Sequence, residues 1–142
     1  MTTLLIGFMA LFGGAARLGL SNLIPAVHGF PWATFVINLA GAFILPLWTQ
    51  WLGAQLHLSE RWILAGGTGF CGAFTTFSTF SVETMRLVVA GRYGLAFTYA
   101  GLSAVFGLAL ALASVTLAQH LLKQRGEQRL VTDEEDRNEM KS

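Results

Sequence analysis

The sequence predicts an all-α membrane protein with four transmembrane helices per chain, and three observations predict it. Of 142 residues, 54% are hydrophobic and only 12% charged, against about 25% charged in an ordinary soluble domain. The charges are also displaced to one end. Of 9 basic and 8 acidic side chains, 11 lie in residues 123–142, leaving Arg17, Glu60, Arg61, Glu83, Arg86 and Arg92 for residues 1–122. Six charges do not solvate a compact body of that size in water. Finally, residues 1–16, 18–59, 62–82 and 93–122 carry no formal charge, runs on the scale of the ~20 apolar residues that a spanning helix needs. Such a chain is not a soluble enzyme, a nucleic-acid binder or a disordered protein. A net charge of +1 without a basic stripe predicts no polyanionic partner, and the single cysteine, Cys71, permits neither an intramolecular disulfide nor a thiolate cluster.

The first helix is expected over 3–24. Its apolar run lacks the basic flank of a cleaved signal peptide and is read as a membrane span. The uncharged stretch 18–59 is too long for one crossing and divides at Pro25-Ala26-Val27-His28-Gly29-Phe30-Pro31, a turn-forming sequence. The second helix then covers about 32–53, the third 61–90 and the fourth 94–122. The tail 123–142 has five basic and six acidic residues and is expected to fray or be disordered. Trp32, Trp48, Trp51 and Trp62 lie near ends of the middle helices, where aromatic side chains anchor in lipid headgroups. His28, His57 and His120 fall near boundaries without metal-ligand spacing.

Four crossings put both termini on one side. The basic residues are split four against three across the membrane, a weak bias that permits insertion in both orientations and leans toward a cytoplasmic C-terminus. A four-helix bundle this thin hardly encloses a polar pathway, so its inward polar groups are expected to meet a second subunit, most simply across a two-fold axis.

The third helix carries most of the polar chemistry. Glycines at 66, 67, 69 and 72 precede five hydroxyl residues among the seven from Thr75 to Ser81. Glycine weakens a helix by about 1 kcal/mol relative to alanine, and hydroxyl side chains compete for backbone groups. Together they predict a break around 72–76, near the bilayer midplane, where irregular backbone survives only if buried or lining a cavity. Carbonyls exposed at such breaks ligate cations; the alternative is a small-residue face for close helix packing. Phe77 and Phe80 share a helix face. Their ring edges are electropositive, and beside Ser78, Thr79 and Ser81 they suit a small anion without a fixed positive charge that would hold it too tightly.

Other polar residues extend this picture. Asn38 lies roughly 9 Å deep, counted from Trp32 at about 1.5 Å per residue, and its amide either donates to an anion or bonds a neighbouring helix. Tyr99 and Ser103 face together at i, i+4. Ser114 and Thr116 continue that helix, with back-bonding to their own turn as the plainer role. Arg17, among Gly13, Gly14, Ala15 and Ala16, suits close helix contact or an anion-attracting vestibule. Glu83, within the third span, tethers a hydroxyl, an arginine or the break, or carries protons as in coupled transporters. No nucleophile–base pair, phosphate loop or paired carboxylates point to an enzyme.

The segment Gly69-Phe70-Cys71-Gly72-Ala73-Phe74-Thr75-Thr76-Phe77-Ser78-Thr79-Phe80-Ser81-Val82-Glu83 closely resembles the signature of the small bacterial fluoride channels, the Fluc or CrcB family. Pro31-Trp32-Ala33-Thr34-Phe35-Val36-Ile37-Asn38-Leu39-Ala40-Gly41 resembles that family's second-helix motif, and Gly13-Gly14-Ala15-Ala16-Arg17 its first-helix arginine motif. The resemblance implies an antiparallel, dual-topology homodimer with two ion pathways in the bacterial inner membrane. It implies that Phe77, Phe80 and Asn38 line the fluoride pathway, and that Ser78, Thr79, Tyr99 and Ser103 form its polar track. It further implies that Gly72 and Thr75 carbonyls of both subunits ligate a central structural sodium ion. Arg17 would stand at a vestibule and Glu83 at an acidic position of open role. Met9, Ala10, Ala33 and Pro46 depart from the family's usual glycines, and Pro46 is expected to kink or loosen the second helix. Two other functions remain open on the sequence: a small proton-coupled exporter of the multidrug type using Glu83, and a non-transporting membrane assembly factor.

Overall fold

The computed structural model describes residues 1–139, with the side chains of all residues to 126 and of Gln128 and Arg137 beyond them. Five helical rods follow one another: α1 (Thr2–Leu23), α2 (Trp32–Gln55), α3 (60–74), α4 (Phe77–Val89) and α5 (Tyr93–Glu139). Three of them, α1, α2 and the Tyr93–Gly126 part of α5, are long and apolar enough to cross a membrane. The third crossing is a tandem of α3 and α4. Each is about 20 Å long at the α-helical rise, short of the ~30 Å hydrocarbon core, so neither spans it alone.

The two connectors on the α1–α2 and α4–α5 side are tight for local reasons. Between the prolines, Val27–Phe30 forms a turn with His28 and Gly29 at φ 55° and 78° and the Phe30 N–H donating to the Val27 carbonyl at 3.1 Å. Positive φ at both central positions is the geometry of a type I′ turn. After α4, Gly91 adopts φ 72°, and the N–H groups of Gly91 and Arg92 return to the carbonyls of Val88 and Leu87, which closes the helix in a Schellman motif. At the other end of the bundle His57, at φ 48°, closes α2 in the same manner through Leu58 N–H to Gly53 and His57 N–H to Ala54.

Both inner helices depart from regular α winding. In α2 the six residues Leu47–Leu52 directly after Pro46 are π-helical, so the proline loosens the helix without ending it. In α3 the seven residues Ala65–Cys71 are π-helical as well, over the glycine-rich run. The same glycines admit close neighbours. Gly13 of α1 rests on the Phe70 carbonyl, and Gly69 on the Ile6 carbonyl, leaving no room for a Cβ at either. The glycines therefore loosen the winding and permit tight packing at once.

Trp48 turns inward, its indole lying on Gly66 with Nε1 buried and unpartnered, whereas Trp32 and Trp62 remain exposed as headgroup anchors would be. Ser114 differs from its expected back-bonding role. Fully buried, it donates across to the Phe43 carbonyl of α2 at 2.6 Å; Thr116 does back-bond, to Ala113 at 2.9 Å. The residues from 123 to 139, expected to fray, continue α5 as helix; no proline interrupts them and Gly126 is their single glycine. A 47-residue helix is about 70 Å long and so projects well beyond a bilayer. On the outside of this chain, α1 and α5 expose Leu4, Leu11, Phe97 and Val105.

Candidate functional site

The break between α3 and α4 falls at Thr75 and Thr76, both in extended conformation (φ −81°, ψ 162° and φ −149°, ψ 119°). Two side chains take over helical hydrogen bonds there, and a third, Thr75, adds to one that persists from its own N–H to the Cys71 carbonyl. Asn38 of α2 pairs with the Thr76 peptide on both sides: its Nδ2 donates to the Thr76 carbonyl at 3.0 Å, and its Oδ1 accepts the Thr76 N–H at 2.8 Å. Thr76 caps α4, its Oγ1 accepting the Thr79 N–H at 3.1 Å and donating to Thr79 Oγ1 at 3.0 Å. Thr75 Oγ1 bonds back to the Cys71 carbonyl at 2.9 Å.

The end of α3 strips its last carbonyls of their helical donors, and these bonds account for two of them. In a continuous α-helix the N–H of residue i+4 serves the carbonyl of residue i. The N–H of Thr76 would serve Gly72 but is taken by Asn38; that of Thr79 would serve Thr75 but is taken by Thr76 Oγ1. Gly72 and Thr75 thus each lose the helical donor, and hard carbonyl oxygens without an N–H suit an alkali cation. The residues fit the sodium site that the sequence resemblance implies.

Both residues line a cavity of about 530 Å³ together with Asn38, Phe77, Phe80 and Ser103. Among the described residues none of its lining side chains is charged. Ser103 Oγ is buried there without a hydrogen-bond partner. Phe77 is 81% exposed and its ring centroid lies 5.9 Å from that of Phe80, which in turn lies 5.1 Å from Tyr99. Gly41 of α2 faces the break so closely that a Cβ would meet the Thr75 methyl.

Around this cavity the remaining candidates separate. Ser78 is exposed and stands 3.3 Å from Thr76 Oγ1; Thr79 belongs to the cap. Neither contributes to the cavity wall. Tyr99 is fully buried, and its hydroxyl donates to Glu83 Oε2 at 2.9 Å while Ser103, one turn on, faces the cavity. Glu83 also accepts from Thr34 Oγ1 through Oε1 at 2.9 Å, so both carboxylate oxygens hold hydroxyl partners and the side chain lies outside the cavity lining. Arg17 is half-buried on α1 with its Nε unpartnered. Reading the sequence missed Thr34, although it stands one helical turn before Asn38 and therefore shares its face. It also missed Thr76, whose spacing to Thr79 is that of an N-cap.

The apolar helices, the break between α3 and α4 and the charge-free cavity define a small multi-pass membrane protein. Residues 4–115 match the family model described as "CrcB-like protein, Camphor Resistance (CrcB)". A protein of Latilactobacillus sakei named "Fluoride-specific ion channel FluC 1" is 44% identical over 110 residues, covering 78% of this chain and 82% of its own. Another of that name from Bacillus cereus strain ZK is 40% identical over 124 residues (85% and 90%), and "Fluoride-specific ion channel FluC" of Oceanobacillus iheyensis is 40% identical over 125 (87% and 97%). The chain belongs to the CrcB family. A coupled exporter working through Glu83 is not favoured by these relatives.

Proposed function

We propose that this protein is a fluoride-selective ion channel, not an enzyme, that lets fluoride leave the cytoplasm passively and so lowers its toxicity. The observation that carries the reading is the cavity at the break. It combines Phe77, Phe80, Asn38 and an unpartnered Ser103 hydroxyl without any charged side chain, and the relatives' names state the ion. Electropositive ring edges and neutral donors bind a small anion weakly enough to release it. Asn38 keeps a second amide hydrogen beyond the one given to Thr76. Fluoride would arrive outside as hydrogen fluoride, cross the lipid, dissociate in the cytoplasm and return through the protein as the ion.

The working unit is an antiparallel dual-topology homodimer in the bacterial inner membrane, with two pathways. Support comes from the weak positional bias of basic residues and from the high exposure of Phe77, a large ring at membrane depth on a cavity that one chain does not close. Sodium would be held by the carbonyls of Gly72 and Thr75 from both copies, where it would neutralise converging dipoles and stabilise the subunit contact. In the pathway Phe77 and Phe80 would flank the ion, Ser78, Thr79, Tyr99 and Ser103 would continue it as a polar track, and Arg17 would attract anions at the vestibule.

Efflux from liposomes containing the purified protein tests the reading, with a potassium ionophore as the only added shunt. Rapid fluoride loss without chloride loss is expected. Absence of fluoride loss from a folded dimer, or equal loss of chloride, overturns it.

A further inference from the structure

Tyr99 joins the proposed pathway to a part of the molecule that no motif includes. Its buried ring contacts Phe80 and also Phe30, at 5.4 Å between centroids and 81° between planes, an edge-to-face contact. Phe30 lies in the connector between α1 and α2, where a side chain would ordinarily face solvent or headgroups, yet it is 7% exposed. It is held from α2 by Trp32 at 4.6 Å and Phe35 at 5.6 Å. With Phe35, Leu87, Ala96 and Tyr99 it forms the buried cluster at this end of the bundle, against which Phe80 packs.

The connector is fixed from a second direction. Arg92, just beyond α4, donates through Nη2 to the His28 carbonyl at 2.6 Å, a charge-assisted bond. Its guanidinium lies against Gly29 so closely that a Cβ there would collide with it. The Val27–Phe30 turn is thus latched from outside by Arg92 while Phe30 reaches inward from its last position.

We infer that Phe30 is a positioning residue for the anion pathway: latched by Arg92, the α1–α2 connector wedges its ring against Tyr99 and so holds the Tyr99 hydroxyl on Glu83 and the Tyr99 ring behind Phe80. This rests on the channel reading. The wedge is aromatic for a reason, since edge-to-face contact fixes a ring's orientation where an aliphatic side chain of similar size fixes only its volume.

Fluoride efflux from liposomes tests it with the full-length protein. Phe30→Leu is expected to lower efflux about fivefold and Phe30→Tyr, which keeps the ring, to restore it to within about twofold of the parent. Because Phe30 acts in part by holding the Tyr99 hydroxyl on Glu83, Phe30→Leu should cost less in a Tyr99→Phe background than in the parent, a non-additivity that a general loss of stability does not produce. Where Tyr99→Phe alone abolishes efflux, the contrast between Leu and Tyr at position 30 decides. Arg92→Ala, which leaves the buried cluster intact, should lower efflux about fourfold and serves if Phe30→Leu does not assemble. Unchanged efflux in Phe30→Leu and Arg92→Ala, equal efflux in the Leu and Tyr variants, or independent losses in the double variant overturn the inference. Silence of the parent protein would instead overturn the channel reading.

Discussion

Two helices of this chain are interrupted inside the membrane region, and they resolve the interruption in opposite ways. In α2 the cause is covalent. Pro46 has no N–H, so Ala42 loses its helical donor, and the Leu47 N–H bonds Ile44 instead of Phe43. The helix answers by widening into six π-helical residues, Thr49 covers the carbonyls of Leu45 and Pro46 at 3.0 and 3.3 Å, and Ser114 covers Phe43 from α5. Three acceptors around the proline are thus covered from within the protein, while Ala42 stands on the cavity lining. Between α3 and α4 no proline is present. Asn38 and Thr76 take two of the N–H groups that would have continued the helix, and Gly72 and Thr75, whose carbonyls lose them, line the cavity. On the proposed reading, an interruption serves as a binding site when the side chains that compete for the donors leave acceptors beside open space. Around Pro46 side chains cover most of the acceptors instead, and that interruption is read as structural.

The largest expected effect comes from Asn38→Ala. It removes both bonds to the Thr76 peptide and leaves a part-buried N–H and C=O unpaired, a loss of roughly 2–4 kcal/mol from two such groups, with thermal unfolding of the detergent-solubilised protein shifted down and fluoride efflux abolished. Phe80→Ile comes next. It keeps an apolar side chain but removes the ring between Phe77 and Tyr99, and efflux should fall by at least about tenfold, with an unchanged elution volume on size exclusion. Ser114→Ala sharpens the contrast from the other interruption: uncovering the Phe43 carbonyl should cost about 1 kcal/mol in unfolding and leave efflux within about twofold of the parent. The smallest effect is a gain. His57 occupies a left-handed position that costs an L-residue roughly 1 kcal/mol relative to glycine, so His57→Gly should raise the unfolding midpoint slightly without touching transport.

Much of this was legible in the sequence, because membrane spans are written in charge and apolar run length. The break falls inside the window 72–76 that glycines and hydroxyls marked, since both weaken a helix through local chemistry. The partners across space were not legible. Nothing local says that Asn38 spends its amide on Thr76, that Ser114 reaches Phe43 instead of its own turn, or that Trp48 leaves the interface to cover Gly66; each depends on how two helices meet. By sequence Glu83 suits several roles, and its choice of Thr34 and Tyr99 follows from the packing of α2, α4 and α5 together. Phe30 carries no sequence signal at all beyond its place between two prolines. The winding of residues 123–139 turned on propensity, which a count of mixed charges does not measure.

Fluoride efflux from matched liposomes of Asn38→Ala and Ser114→Ala, each checked for chloride efflux, tests the central claim most directly. The account predicts rapid, fluoride-selective loss through Ser114→Ala and none through Asn38→Ala. Equal fluoride efflux through both would contradict it, since the two interruptions would then be functionally alike.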